Sequence, residues 1–224
     1  PLLKDEESLG GFQHPASYMF KNLPSERFAD DPPRAVLEAM DRYGHDAPDL
    51  RFDLPLVDCT DLAAKCDFRV FASVAQSGGR VRGINAKRGT DHLSRRGIDA
   101  LTEYVAQFGA KGLAWFRVEP DGKLWSPVSK NFTDEQLAKF KERMNAQPGD
   151  MLFFVADTWA VSCKALHNLR KRVGADLKLY DPKAMNFSWI VEFPMFEFDQ
   201  EENRWNSMHH PFTAPRPQDV PLLD

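Results

Sequence analysis

From Leu50 onward the sequence alternates short apolar runs with amphipathic segments, and this alternation constrains the fold more than any other feature. The runs RVRGINA at 80–86, KGLAWFRVE at 111–119 and MLFFVAD at 151–157 are typical of strands. The run FRVFASVA at 68–75 also predicts a strand, which QSGG would join to the next strand as a hairpin. Short strands joined by tight turns predict an α+β fold, an antiparallel sheet with helices on one face.

Three segments of the same region have the apolar spacing of helices. LSRRGIDALTEYVAQFG at 93–109 and WAVSCKALHNLRKRVG at 159–174 are two of them. The third, FTDEQLAKFKERMNA at 132–146, has Thr133 near its start and Gln136 three residues later, which predicts a capping box. These helices would supply the layer that covers the sheet.

The two ends of the chain differ from this central region. Residues 1–50 are rich in Pro, Asp and Gly, and only PPRAVLEAMDRYG at 32–44 has helical spacing. Near the other end, NFSWIVEFPMFEFD at 186–199 and RWNSM at 204–208 predict a strand pair around the polar turn QEEN.

Composition excludes several classes of protein. A hydrophobic content of 42% is enough for a packed core, and the net charge of -4 argues against binding nucleic acid through the overall field. Three cysteines without C-x-x-C spacing argue against a disulfide framework and a four-cysteine zinc site. No apolar run approaches the ~20 residues that a membrane span requires. With no signal peptide at the amino end, we expect a cytoplasmic protein that does not contact membranes.

Two short motifs have weak functional interpretations. FRVE at 116–119 matches the core of the ATP-binding motif 2 of class II aminoacyl-tRNA synthetases, but an ordinary strand with exposed Arg117 and Glu119 is the favoured interpretation. Arg170, Lys171 and Arg172 cluster near a helix end, where cations favour the helix dipole. They predict a solvated face, with a tRNA-facing patch as the alternative.

The adjacent histidines His209 and His210 precede Pro211. If the preceding strand continues, the two side chains point to opposite faces and cannot both bind one metal, so we predict no metal site. The proline favours an extended backbone that suits the rim of a cavity. A pair that hydrogen-bonds to the backbone at the mouth of a loop and a pair that handles a ligand both remain open.

Taken together, several blocks of the sequence resemble successive blocks of bacterial-type aspartyl-tRNA synthetase. They include DRYGHDAPDLRFDLPLVDCTDL, SGGRVRGINA, NAQPGDMLFFVAD and FSWIVEFPMFEFDQEENRWNSMHHPFTAP, and they cover about residues 33–216. The middle blocks are similar to the GAD insertion domain of that enzyme, and the last block is similar to one of its class II catalytic strand pairs. The resemblance implies three regions: a partly helical lead-in at 1–49, a GAD-like insertion domain at 50–185, and a partial catalytic hairpin with the His-His-Pro loop at 186–224.

The resemblance also implies a reaction, in which L-aspartate is ligated to tRNA(Asp) through an aspartyl-adenylate formed from ATP with Mg²⁺. It makes His209 and His210 candidate substrate-binding residues and assigns no catalytic residue. The family pattern allows a homodimer.

Motifs 1, 2 and 3 of the class II sheet are not found, and the first ~30 residues match no block of the family. We therefore expect the isolated chain to be inactive and to bind no cofactor. The alternative function is a stand-alone GAD-type module that docks on tRNA or on a partner protein.

Overall fold

A computed structural model of the chain describes residues 34–191, 193–194, 196–199 and 202–207. The helices of the described chain are α1 (Val36–Tyr43), α2 (Thr60–Ala63), α3 (Arg69–Gln76), α4 (Arg95–Ala106), α5 (Asp134–Arg143) and α6 (Trp159–Asp176). The strands are β1 (Arg34–Ala35), β2 (Val57–Asp58), β3 (Arg80–Ala86), β4 (Ala114–Val118), β5 (Leu124–Trp125), β6 (Met151–Asp157), β7 (Ile190–Val191), β8 (Phe196–Asp199) and β9 (Arg204–Ser207).

Five of these strands form one antiparallel sheet in the order β2-β3-β6-β4-β5. The centre of the sheet is β6, which pairs with β3 over seven residues, from Arg80 opposite Asp157 to Ala86 opposite Met151. The predicted strands at 80–86 and 151–157 are therefore confirmed, as is the α+β class with an antiparallel sheet.

Helices cover both faces of this sheet, and not one face as predicted. Met151, Phe153 and Val155 of β6 pack into a core with α4 and α6, whereas Leu152 and Phe154 pack into a second core with α3 and α5. Because side chains alternate across a strand, a central strand buried on both faces has a continuous apolar sequence. The run MLFFVAD has this pattern.

The segment predicted as a strand at 68–75 is a helix. Phe71 of α3 is buried, and Phe68 and Val74 pack against the same core at helical spacing. The β-branched and aromatic residues of this segment favour a strand intrinsically, but packing on the sheet decides the outcome. The predicted hairpin at QSGG is also wrong, because Gly78 with φ +82° follows the end of this helix.

The other predicted helices are confirmed. Ser94 Oγ accepts a hydrogen bond from the N–H of Gly97 at the start of α4. At the start of α5, Thr133 and Gln136 form the capping box in both directions, at 3.2 and 3.0 Å. Local hydrogen bonds therefore fix where these helices begin.

Two short strand pairs lie outside the five-stranded sheet. β8 and β9 form the predicted antiparallel pair. β1 and β7 pair in parallel, with Arg34 opposite Ile190. The segment before the hairpin thus folds back on the lead-in, and α1, which directly follows β1, packs against α6.

Candidate functional site

The predicted substrate-binding residues His209 and His210 lie outside the described residues. Within the described ranges, no group of three or more His, Cys, Asp or Glu side chains is arranged to hold a metal ion. In the same part of the chain, no helix combines the length and the apolar character that crossing a membrane demands.

The predicted basic cluster on α6 does not form one surface. Lys171 and Arg172 are exposed, and Arg172 forms an ion pair with Asp176 at 2.9 Å. Arg170 is fully buried, so its inclusion in a tRNA-facing patch is wrong. Neighbouring positions on a helix point in different directions, and the sequence alone did not show that one of them faces the core.

Arg170 binds the segment that enters the sheet. Its Nη2 donates to the carbonyl of Phe52 at 2.8 Å, and its Nε donates to the carbonyl of Leu54 at 3.1 Å. The guanidinium lies 4.2 Å from the ring centroid of Phe52 and 4.8 Å from that of Tyr43. Burial lowers the pKa of Arg170 from its ordinary value. Leu54 has φ 108°, which is a strained backbone conformation, and the Arg170 side chain binds the carbonyl of this residue.

A second buried arginine joins α1 to the sheet. Arg82 of β3 donates to the backbone carbonyl of Asp41 through Nη2 and to Cys163 Sγ through Nη1 at 3.0 Å. The Asp41 carboxylate accepts a hydrogen bond from Trp159 Nε1 at 2.8 Å. Burial raises the pKa of the Cys163 thiol, so it remains protonated at neutral pH. The carboxyl end of α1 is therefore held by polar contacts from β3 and α6.

The turn after α1 packs directly on α6. Gly44 has φ +76°, and a Cβ at this position would lie 2.4 Å from the carbonyl oxygen of Cys163. The next residue, His45, stacks on His167 with ring centroids 4.4 Å apart. Burial, and then the charge of His45, lower the pKa of His167 to about 4, so this imidazole is neutral at pH 7. We call these contacts of α1 and its turn with β3 and α6 the junction.

A different kind of site lies at the outer strands of the sheet. An open cleft of ≈ 270 Å³ is formed beside the start of α4, over β4 and β5. Four of its side chains are Arg95, Trp115, Arg117 and Trp125, and we call it the Trp–Arg cleft. Arg117 lies opposite Trp125 across the strand pair, and Trp115 shares a face of β4 with Arg117 because it is two residues away.

The FRVE motif therefore lies at this cleft, on an ordinary strand as the favoured interpretation predicted, with Arg117 exposed and Glu119 partly exposed. Arg117 and Glu119 also form an ion pair at 2.6 Å, which was not predicted. The cleft itself was missed by sequence reasoning. The spacing of Trp115 and Arg117 places both on one face of a strand and was a signal for the cleft. The sequence did not show that β5 pairs with β4 and brings Trp125 next to Arg117.

Residues 71–166 match the family model of the GAD domain, and they contain β3 to β6 and most of the helices that cover them. Similar proteins include three aspartate–tRNA(Asp/Asn) ligases. That of Rhodopirellula baltica is 60% identical over 187 residues, covering 83% of this chain and 32% of that protein. That of Desulfatibacillum aliphaticivorans is 43% identical over 221 residues, covering 98% and 37%. That of Bacillus cytotoxicus is 42% identical over 224 residues, covering 100% and 38%.

The fold and this match define a GAD domain within the chain. The chain belongs to the family of bacterial-type aspartate–tRNA(Asp/Asn) ligases, of which it represents the region that includes the GAD domain. It spans about a third of the length of the relatives it matches. The alignment with the Bacillus cytotoxicus protein includes the first 30 residues, so the expectation that they match nothing in the family is wrong.

Proposed function

We propose that this chain acts as part of an aspartate–tRNA ligase and contributes the GAD domain to it. The observation that carries the proposal is the identity of 42–60% with ligases of that name, over 83–100% of the chain. In the whole enzyme, ATP with Mg²⁺ would activate L-aspartate as aspartyl-adenylate, and tRNA(Asp) would then accept the aspartyl group. Such a reaction depends on positioning and on cations that neutralise phosphate charge.

His209 and His210 are the residues of this chain proposed to contact substrate. The support is their place in HHPFT, within the stretch that aligns with the Bacillus cytotoxicus ligase over its whole length in this chain. Imidazoles next to a proline in an extended backbone can donate hydrogen bonds to a carboxylate or phosphate oxygen. The division into regions 1–49, 50–185 and 186–224, a cytoplasmic location and a homodimer belong to the same proposal.

The contacts of the junction support a structural role for the GAD domain in the ligase. At the junction, Arg82 and Gly44 fix α1 and its turn to β3 and α6. Beside it, Arg170 of α6 fixes the following segment through the carbonyls of Phe52 and Leu54. The domain would therefore keep one orientation relative to the strands that flank it, because buried hydrogen bonds and close packing resist small displacements.

The isolated 224-residue chain is expected to show no aspartate-dependent exchange of labelled pyrophosphate into ATP. The physical reason is that motifs 2 and 3, which supply phosphate-binding cations in the family, are not found in the sequence, and the described residues hold no group of side chains arranged to bind a metal ion. The full-length Bacillus cytotoxicus ligase serves as the positive control, and a cooperative thermal transition shows that the chain is folded. Exchange that requires aspartate and exceeds the protein-free background would contradict the proposal.

A second candidate function is a GAD-type module that docks on tRNA or on a partner protein by itself. It is favoured by the two cores that the domain contains and by the exposed Lys171 and Arg172 on α6. With Lys171→Glu/Arg172→Glu, binding of tRNA should weaken by about tenfold or more, and its salt dependence should become less steep. Lys130→Glu/Lys139→Glu is the matched control, since it reverses the same number of exposed charges elsewhere. Equal binding by both variants would remove tRNA from this candidate.

A further inference from the structure

We propose that the Trp–Arg cleft binds an unstacked nucleotide of single-stranded RNA. The proposal rests on the proposed function in one respect, that the protein works on RNA, and it assigns a site on the GAD domain where that RNA is held. The cleft lies at the outer strands β4 and β5, whereas the junction joins α1 to β3 and α6.

The two tryptophans of the cleft differ in exposure. Trp115 is 9% exposed and contributes to the core beneath the cleft, whereas Trp125 is 43% exposed. Their ring centroids are 5.8 Å apart with an interplanar angle of 51°. The exposed part of the Trp125 ring, beside the guanidinium of Arg117, can stack with a base of any sequence.

The two guanidinium groups of the cleft lie against its tryptophans. The Cζ of Arg117 lies 4.2 Å from the ring centroid of Trp125, and that of Arg95 lies 5.4 Å from Trp115. Each arginine is bonded to a carboxylate through Nε, to Glu119 at 2.6 Å and to Asp99 at 3.3 Å. Among the described residues, the terminal amino groups of both arginines have no hydrogen-bond partner. They are therefore available to a phosphate oxygen.

The charged side chains that line the cleft are both arginines. Among the described residues, its lining contains Arg95 and Arg117 and no carboxylate, although the whole chain has a net charge of -4. Asp99 and Glu119 pair with these arginines from outside the lining, so the cleft offers an anionic ligand the terminal amino groups of two guanidiniums and not a net positive charge. A base stacked beside Trp125 with its phosphate at the arginines would satisfy both parts of the cleft. A paired base inside a duplex cannot expose its face in this way.

The size of the cleft favours a single base. Its volume of ≈ 270 Å³ lies just below the range of roughly 300–1,000 Å³ that is usual for pockets of drug-sized ligands. A folded segment of a partner protein would require a larger surface, since specific protein interfaces bury about 800 Å² per partner.

The experiment measures fluorescence anisotropy of a labelled single-stranded RNA of about ten nucleotides, titrated with the full 224-residue chain. A blunt duplex of the same sequence is the competitor. We expect the single strand to bind about tenfold more tightly than the duplex, Trp125→Ala to weaken binding about tenfold, and Arg117→Gln to weaken it by a similar factor. Trp205→Ala is the control, because Trp205 is 67% exposed and does not line the cleft.

Three results would overturn the proposal: no binding of the single strand at low salt, equal loss in Trp125→Ala and Trp205→Ala, or preference for the duplex. Preserved RNA binding in the cleft variants together with binding of an acidic peptide lost in Trp125→Ala would assign the cleft to a peptide. Circular dichroism of each variant confirms that it is folded. The pyrophosphate-exchange result for the isolated chain does not depend on the cleft, so the two proposals fail separately.

Discussion

Replacing Gly44 by alanine is expected to lower the free energy of unfolding by about 3 kcal/mol or more. Gly44 has φ +76°, a conformation that costs a residue with a Cβ about 1–2 kcal/mol. The new Cβ would also lie 2.4 Å from the carbonyl oxygen of Cys163, which belongs to the backbone of α6 and cannot rotate away. The turn after α1 would have to move off α6, and the stacking of His45 on His167 would be lost with it. Urea-induced unfolding followed by circular dichroism measures the change.

Gly78→Ala is the matched control for this prediction. Gly78 has a similar backbone conformation, with φ +82°, but a Cβ there would have no described atom within 4 Å. It should therefore lose only the conformational part, about 1–2 kcal/mol. If Gly44→Ala costs no more than Gly78→Ala, the close approach of the turn to α6 does not exist in solution.

Replacing Arg170 by alanine is expected to destabilise the chain by about 3 kcal/mol. The carbonyls of Phe52 and Leu54 would lose their donors, and each unsatisfied buried group costs about 1–3 kcal/mol. The rings of Phe52 and Tyr43 would lose the cation between them. We expect the strained backbone at Leu54 to relax, and hydrogen exchange at the amide of Leu56, which donates to the carbonyl of Arg42, should rise more than in the sheet.

Arg172→Ala and Arg170→Met separate the contributions to this effect. Arg172 is exposed on the same helix and pairs with Asp176, so its loss should cost about 0.5 kcal/mol or less. Methionine at 170 fills much of the space without donating to the carbonyls, so it should recover part of the stability but not the slow hydrogen exchange expected at the amide of Leu56. A loss for Arg170→Ala no larger than that for Arg172→Ala would mean that the buried hydrogen bonds contribute little.

Much of the sheet and three of its helices could be predicted from the sequence, because their information is local. The capping box of Thr133 and Gln136 is formed by residues three apart, and the continuous apolar run at 151–157 specifies a strand regardless of its neighbours. The predicted strand pair at β8 and β9 depends on a polar turn between two apolar segments.

The errors arose where long-range packing decides. The segment 68–75 has β-forming residues, but Phe71 is buried against the sheet as part of a helix. Arg170 appeared to belong to a basic surface because its two neighbours are cations, whereas the carbonyls that it binds are more than a hundred residues away in the sequence. The Trp–Arg cleft likewise depends on the pairing of β4 with β5. His209 and His210 remain predictions.

The parallel pairing of β1 with β7 bears on how the segment between these two strands could be inserted or replaced during evolution. Arg34 lies opposite Ile190 and Ala35 opposite Val191, so the chain departs and returns at adjacent strands, about 4.8 Å apart. The residues between β1 and β7 therefore begin and end at neighbouring positions in the structure. The segment between β1 and β7 could therefore be lengthened, replaced or deleted during evolution while these two strands keep their spacing. Domain insertion is tolerated where the two ends of the inserted segment lie close together, as they do here.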